Sequence, residues 1–251
     1  MQNKSEKEAE NVFEDIIRDQ PLSFYGLLAH RELNRSIPLK IIATPEPVHT
    51  KGELQLTKQL HTLIDENYLA WLLATNENEI AAAYLDGISS QLKKSHPEHV
   101  ASWSQLLQLY SESHNYLPMF SQLSQLPENV RRAVLDANSK LIFPNPYFDT
   151  VAQSAGRFGI SPEFIYSIMR QESSFNPQAR SHMDAFGLMQ LLPEVARKSA
   201  EANDISYTGP DDLYSPHINI PIGSAHLREL WDKYNGELIL AAASYNASEK
   251  A

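Results

Sequence analysis

The chain has 251 residues, enough for one large domain or two modest ones, and 42% of them are hydrophobic. Acidic residues outnumber basic ones by 31 to 21, and the resulting net charge of −10 argues against a nucleic-acid partner and against binding to anionic lipid. The absence of cysteine excludes disulfides, thiolate metal sites and cysteine nucleophiles.

The amino terminus is polar and charged, so it does not read as a signal peptide. No stretch of the sequence approaches the apolar length of a membrane span, and we predict no integral membrane segment. If the protein acts outside the cytoplasm, we expect its export signal to lie upstream of residue 1.

The first 143 residues have the periodicity of consecutive helices with short connections. In the first of these segments, Leu22, Tyr25, Leu28, Ala29 and Leu33 share one helical face. Alternating runs typical of strands are absent, so we predict an all-α, solenoid-like scaffold. A protein-binding groove is the functional alternative, although a shape-giving scaffold is favoured. The predicted helices cover residues 21–33, 54–74, 79–94, 97–110 and 127–142.

A domain boundary is predicted at residues 143–147, where Pro144 and Pro146 stand in an aromatic context. Two prolines this close stop a helix and start a compact connector. We therefore divide the chain into a helical region, residues 1–143, and a second domain, residues 144–251.

The first chemically informative segment of the second domain is a predicted helix that begins after Ser161, a suitable N-cap, with Pro162 in its first turn. Glu172 shares an apolar face with Ile168 and Met169 and lies near the helix carboxyl end. Both placements disfavour the ionised form of the side chain relative to the protonated form. A glutamate that is held protonated suits a general acid. From this segment alone, a glutamate that reaches water or pairs with an arginine remains the favoured alternative.

Three motifs that follow one another along the chain favour a catalytic role for Glu172 instead. Through them, residues 144–251 closely resemble the soluble lytic murein transglycosylases. The motifs lie within residues 171–193, 213–227 and 243–247. The residues that carry the resemblance are Gln171, Glu172, Ser173, Asn176, Pro177, Ser181, Gly187, Leu188, Met189, Gln190, Pro193, Leu213, Pro216, Asn219, Ile220, Gly223, Leu227, Ala243, Ser244, Tyr245, Asn246 and Ala247.

The resemblance implies a lysozyme-like α domain in which Glu172 is the catalytic residue. It also implies that Ser181, Gln190, Tyr245 and Asn246 bind the glycan. An amide such as Gln190 suits an N-acetyl group or a sugar hydroxyl, whereas a loop serine such as Ser181 more often bonds backbone. We expect Gly187 to allow close backbone packing, and Leu188 and Met189 to fill the core.

The implied reaction is non-hydrolytic cleavage of the β-1,4 bond between N-acetylmuramic acid and N-acetylglucosamine in peptidoglycan, giving 1,6-anhydro-muramic acid ends. Glu172 would act first as the acid and then as the base, without a metal or organic cofactor. The implied partners are peptidoglycan glycan strands, with cell-wall proteins as further partners of the N-terminal helices. The implied location is the periplasm or cell envelope.

Two alternatives remain open at this point. A lysozyme-type hydrolase would use Asp184, which stands where the family usually has glycine, as the water-activating base. A non-catalytic glycan-binding scaffold is the other alternative, because the family continues past the third motif with helices that complete one cleft wall. We accordingly expect a C-terminally incomplete domain that folds but is a poor enzyme.

His96 and His99 resemble a metal pair, but without a third ligand we expect surface histidines.

Overall fold

The computed structural model describes residues 2–19, 24–35 and 56–246, which divide between two compact units, Met1–Thr44 and Pro45–Ala251. None of the helices in these described ranges is long and apolar enough to cross a bilayer.

Within its described residues, the first unit is a pair of packed helices, α1 (Gln2–Asp19) and α2 (Phe24–Glu32). The guanidinium of Arg35 donates two hydrogen bonds to the Glu14 carboxylate and so ties the end of α2 back to α1. The predicted helix at 21–33 is confirmed as α2, but its predicted apolar face is only partly buried. Ala29 is buried, whereas Tyr25 is 67% exposed. Leu22 lies outside the described residues.

In the described part of the second unit, the elements before residue 138 are the helices α3 (Lys58–His61), α4 (Glu66–Ala74), α5 (Asn78–Ser95), α6 (Val100–Glu112), α7 (Tyr116–Gln125) and α8 (Glu128–Ala137). Helix α6 packs against α5, α7 and α8. The predicted single helix at 54–74 is wrong: Asp65 accepts a hydrogen bond from the Tyr68 amide at 3.1 Å, and this cap starts a new helix. Residues 54 and 55 lie outside the described residues. A 3₁₀ turn at Ser139–Leu141 follows α8.

The predicted helix at 97–110 begins later than expected because a histidine caps it. The Nδ1 atom of His99 accepts a hydrogen bond from the Ser102 amide at 3.2 Å. This contact gives His99 a structural role in place of the metal-ligand role considered above. Helix α7 had no predicted counterpart, and the helix predicted at 127–142 is split into α8 and the 3₁₀ turn.

The remaining described elements are α9 (Phe148–Phe158), α10 (Pro162–Ser173), α11 (Pro193–Ala202), a 3₁₀ turn at Pro210–Tyr214, α12 (Pro216–Lys233) and α13 (Leu238–Asn246). Helix α12 packs against α9, α11 and α13, while α9 also contacts α10. The described residues contain no strand, only isolated bridges that pair Phe186 with Arg180 and Leu191. The all-α fold class is therefore confirmed.

One hydrophobic core runs through the whole described part of the second unit. It includes Trp103 and Tyr110 from α6 together with Ile165 from α10 and Phe175, each at most 1% exposed. The predicted boundary at 143–147 coincides with a break between helices, yet buried side chains on both sides of it pack into this one core. The division into two domains at that point stays a prediction.

Candidate active site

Glu172 lies in the last turn of α10, and its surroundings are those expected from the sequence. The helix starts where the Ser161 hydroxyl accepts a hydrogen bond from the Phe164 amide at 3.2 Å, with Pro162 in the first turn. Ile168 and Met169, on the same face as Glu172, are 4% and 0% exposed. Glu172 itself is half-buried beside this apolar face.

The carboxyl group of Glu172 has one buried oxygen, Oε1, with no hydrogen-bond partner within residues 56–246. Burial raises the pKa of this group above its ordinary value, because a desolvated carboxylate loses the hydration that stabilises its charge. An arginine partner would have the opposite effect, and the structure places none on the buried oxygen. The group is therefore suited to donate a proton.

Ser173 joins the end of α10 to the turn at residues 186–191. Its hydroxyl lies 3.1 Å from the Met169 carbonyl oxygen and 2.8 Å from the Leu188 carbonyl oxygen, both acceptors. The turn closes on itself through the Phe186 and Leu191 backbones at 3.0 and 3.1 Å. The residue after the acid therefore holds the second half of the first motif beside it.

The turn itself is packed as expected from the sequence, with Leu188 and Met189 both 0% exposed. Gly187 has a φ of +74°, and a Cβ there would collide with the Leu213 carbonyl oxygen. Gln190 adopts a φ of +47°, and its side-chain amide donates to the carbonyls of Ala179 at 3.2 Å and Gly187 at 3.0 Å. These two hydrogen bonds to backbone carbonyls fix the orientation of the Gln190 side chain.

Asn219, on α12, holds the turn from below and was given no role by the sequence analysis. Its Nδ2 donates to the carbonyls of Phe186 at 3.0 Å and Leu213 at 2.9 Å, and its Oδ1 accepts from the Met189 amide at 2.9 Å. The side chain is fully buried. The available signal was an asparagine between Ile218 and Ile220 in an apolar helix, a place where a buried amide must find partners.

Tyr245 approaches the acid from α13. Its hydroxyl donates to the Met189 carbonyl oxygen at 2.9 Å. Burial, and then the nearby charge of Glu172, hold the pKa of the Tyr245 phenol well above its ordinary value. The phenol therefore stays protonated and lies within the electrostatic reach of Glu172. A role for Tyr245 in orienting the acid or the sugar stays a prediction.

A second set of polar contacts lies behind Tyr245. The His226 ring, on α12, has its centroid 5.5 Å from the Tyr245 ring. Its Nδ1 lies 3.4 Å from Glu229, whose carboxylate accepts from the Ser199 hydroxyl at 3.2 Å. The sequence analysis missed this cluster because its members are dispersed over two helices.

Two other predicted site residues make only local contacts within the described part of the chain. The Ser181 hydroxyl accepts from the amides of Met183 at 3.2 Å and Ala185 at 3.1 Å, which is a turn-forming role. The Asn246 amide donates to the Ala242 carbonyl at 3.3 Å at the end of α13. Glycan binding by these two residues stays a prediction.

Asp184 is not placed as a water-activating base. Its φ of +57° is the left-handed conformation that an aspartate tolerates, so the loop accommodates the replacement of glycine. Its carboxylate pairs with Arg180 at 2.7 Å, and the side chain is 64% exposed. A carboxylate that is exposed and already paired with Arg180 is not free to activate a water beside a buried reacting bond, which disfavours the hydrolase alternative.

Comparison with known proteins identifies relatives of the region that contains this site. The transglycosylase SLT domain family matches residues 149–251. A Haemophilus influenzae protein named "Putative soluble lytic murein transglycosylase" is 33% identical over 233 residues, which are 89% of this chain and 34% of that protein. The chain thus spans about a third of the length of this relative.

Two solved structures share the fold at low sequence identity. One is an inactive mutant of the lytic transglycosylase Slt from Pseudomonas aeruginosa, with a TM-score of 0.69, 22% identity, and coverage of 96% of this chain and 36% of that one. The other is the 70 kDa soluble lytic transglycosylase from Escherichia coli, also with a TM-score of 0.69 and 22% identity, covering 98% of this chain and 36% of that one. The likeness shows that the all-α architecture is that of these proteins.

Proposed function

We propose that this chain, whose residues 149–251 belong to the transglycosylase SLT domain family, cleaves the glycan strands of peptidoglycan. The bond is the β-1,4 linkage between N-acetylmuramic acid and N-acetylglucosamine, and cleavage adds no water. The observation that carries this proposal is the carboxyl group of Glu172, with one buried, unpartnered oxygen and a raised pKa.

In the first step, protonated Glu172 donates its proton to the glycosidic oxygen of the leaving N-acetylglucosamine, and the bond to the muramic acid anomeric carbon breaks. The substrate's own acetamido group stabilises the oxocarbenium-like centre, in the place of the second carboxylate of ordinary glycosidases. Glu172, now ionised, takes the proton from the muramic acid 6-hydroxyl, whose oxygen closes the 1,6-anhydro ring. One carboxyl group thus serves as acid and base.

The other polar groups around Glu172 have proposed supporting roles. The Tyr245 phenol, anchored on the Met189 carbonyl, orients the acid and the muramic acid ring. Gln190 turns its amide nitrogen toward backbone, so we assign its carbonyl oxygen to the glycan. Ser181 and Asn246 are proposed to line the same cleft further from the reacting bond.

The proposed setting is the cell envelope, where the substrate is found. The net charge of −10 would repel an anionic polymer, so the glycan must be held by local contacts in the cleft. We further propose that the N-terminal helices offer a surface to cell-wall protein partners.

The test is to digest purified sacculi and identify the released muropeptides by mass spectrometry. We expect products that end in 1,6-anhydro-muramic acid, and Glu172→Gln should abolish their release while glycan binding persists, because glutamine cannot donate and recover a proton. Residual activity within about tenfold of the parent, about 1.4 kcal/mol in barrier, would assign the acid to another residue.

Glu163→Gln is the matched control, because Glu163 is an exposed glutamate in the first turn of the same helix. It should cleave sacculi like the parent. Reducing-end products in place of anhydro products would refute the non-hydrolytic reaction.

A further inference from the structure

The chain reverses sharply just after Glu172, in a backbone conformation that neighbouring contacts must hold. Helix α10 ends at Ser173, and Ser174 and Phe175 have φ values of +49° and +65°. Two consecutive side-chain-bearing residues in the left-handed region are unusual, and such strain persists only where surrounding structure imposes it. What fixes Phe175 therefore helps to fix the last turn of α10, which carries the acid.

The Phe175 side chain is anchored among rings that lie on both sides of the predicted domain boundary. It is 1% exposed. Its ring centroid lies 5.3 Å from that of Tyr116, at an interplanar angle of 70°, and 6.4 Å from that of Tyr166. Edge-to-face pairs of this kind are directional, so they fix the ring's orientation as well as its burial. Tyr116 is the first residue of α7, within the N-terminal helices.

Arg170 anchors the other side of the acid to the same N-terminal helices. Its guanidinium lies over the Phe120 ring of α7, 4.4 Å from the ring centroid, and it donates a hydrogen bond to the Ile142 carbonyl. Two residues along a helix correspond to a rotation of about 200°, so Arg170 and Glu172 point to opposite sides of α10. The side of the helix away from the acid is thus fastened to α7 and to the segment after α8.

We propose that Arg170 and Phe175 are positioning residues. They set the position of the Glu172 carboxyl group by fastening α10 to α7 and to the segment after α8. The proposal rests on the proposed function, in which Glu172 is the acid. It gives helix α7 and the segment after α8 a part in catalysis, since a displacement of about 1 Å at the reacting groups can cost about a hundredfold in rate. A scaffold that only gave shape would leave the rate unaffected by changes at Phe120 or Tyr116.

The test compares single variants of the full chain for kcat, KM, thermal stability and the titration of the Glu172 carboxyl carbon by NMR. Phe120→Leu removes the ring beneath Arg170 but keeps apolar bulk, and Phe175→Leu removes the edge-to-face contacts. Phe120→Tyr restores an aromatic face. Phe158→Leu is the matched control, because the Arg157 guanidinium also lies over a phenylalanine ring, 5.1 Å from its centroid, and also donates to a carbonyl, that of Asn203.

We expect Phe120→Leu and Phe175→Leu to lower kcat about tenfold or more with KM within about twofold, and to shift the Glu172 titration, because the acid is displaced while the cleft persists. Phe120→Tyr and Phe158→Leu should behave like the parent. If Phe175→Leu fails to fold, Phe120→Leu with its Tyr counterpart decides the question.

The proposal is overturned if folded Phe120→Leu keeps the parental kcat and Glu172 titration, or if Phe158→Leu lowers kcat equally. A parent chain that releases no anhydro products would instead refute the proposed function. In that case the Glu172 titration in Phe120→Leu alone decides the positioning role, with an unshifted titration overturning it.

Discussion

Replacing Asn219 by alanine removes a side chain whose amide satisfies three backbone groups at once. The Met189 amide loses its acceptor, and the carbonyls of Leu213 and Phe186 lose a donor. The Asn219 side chain is fully buried, so solvent does not replace these partners directly. The Phe186 carbonyl also accepts from the Leu191 amide at 3.1 Å, so it keeps one partner. Two buried groups, the Met189 N–H and the Leu213 carbonyl, are then left to water or to nothing.

Leaving a buried backbone group unsatisfied costs about 1 to 3 kcal/mol, so the two together predict a loss of about 4 kcal/mol for Asn219→Ala. In a chain of this size such a loss lowers Tm by roughly 8 to 16 °C. Activity should fall as well, even below Tm, because the released Met189 backbone also carries the carbonyl that holds Tyr245.

Urea denaturation followed by circular dichroism measures the change in the free energy of unfolding. Asn203→Ala is the control, since it is the same substitution and removes one hydrogen bond, from Nδ2 to the Ser199 carbonyl at 2.9 Å, at the end of α11. That loss should be about 1 kcal/mol. Equal losses for the two variants would refute the reasoning, because Asn219 would then be no more than another capping asparagine.

Three further predictions follow from the site. Gly223→Ala should lower the free energy of unfolding by about 1 to 3 kcal/mol, because the added Cβ would collide with the Met189 side chain. Gly156→Ala in α9, where an added Cβ would meet no atom within 4 Å, should raise the free energy of unfolding by up to about 1 kcal/mol in the same urea titration. The pH profile of kcat/KM should fall on the alkaline side through the pKa of Glu172, because the first step needs the protonated acid. Burial raises that pKa above 4.5, so the protonated acid, and with it the activity, persists to higher pH than for an exposed glutamate. Asp184→Asn should keep turnover within about twofold and still give anhydro products, because it removes only an exposed ion pair.

Each of these has a clear contrary result. Equal changes in stability for the two glycine variants would show that the contact with Met189 is not tight. A profile of kcat/KM that instead rises with pH through this region would assign Glu172 the base role in the first step. Loss of all product in Asp184→Asn would bring back the hydrolase alternative.

Local chemistry determined which helices the sequence could predict. Helix α10 was predicted with its cap, because Ser161 and Pro162 act within one turn of the positions they terminate. The burial of Ile168 and Met169 beside Glu172 followed from helical periodicity alone. The raised pKa of the acid therefore had a local cause that the sequence carried.

The tertiary structure decided the contacts between residues distant in the chain. Asn219 meets Met189 across 30 positions, and Tyr245 meets the same residue across 56. Phe120 meets Arg170 from another helix. No periodicity specifies which distant partner a buried polar or aromatic group will find, since that depends on how the helices pack.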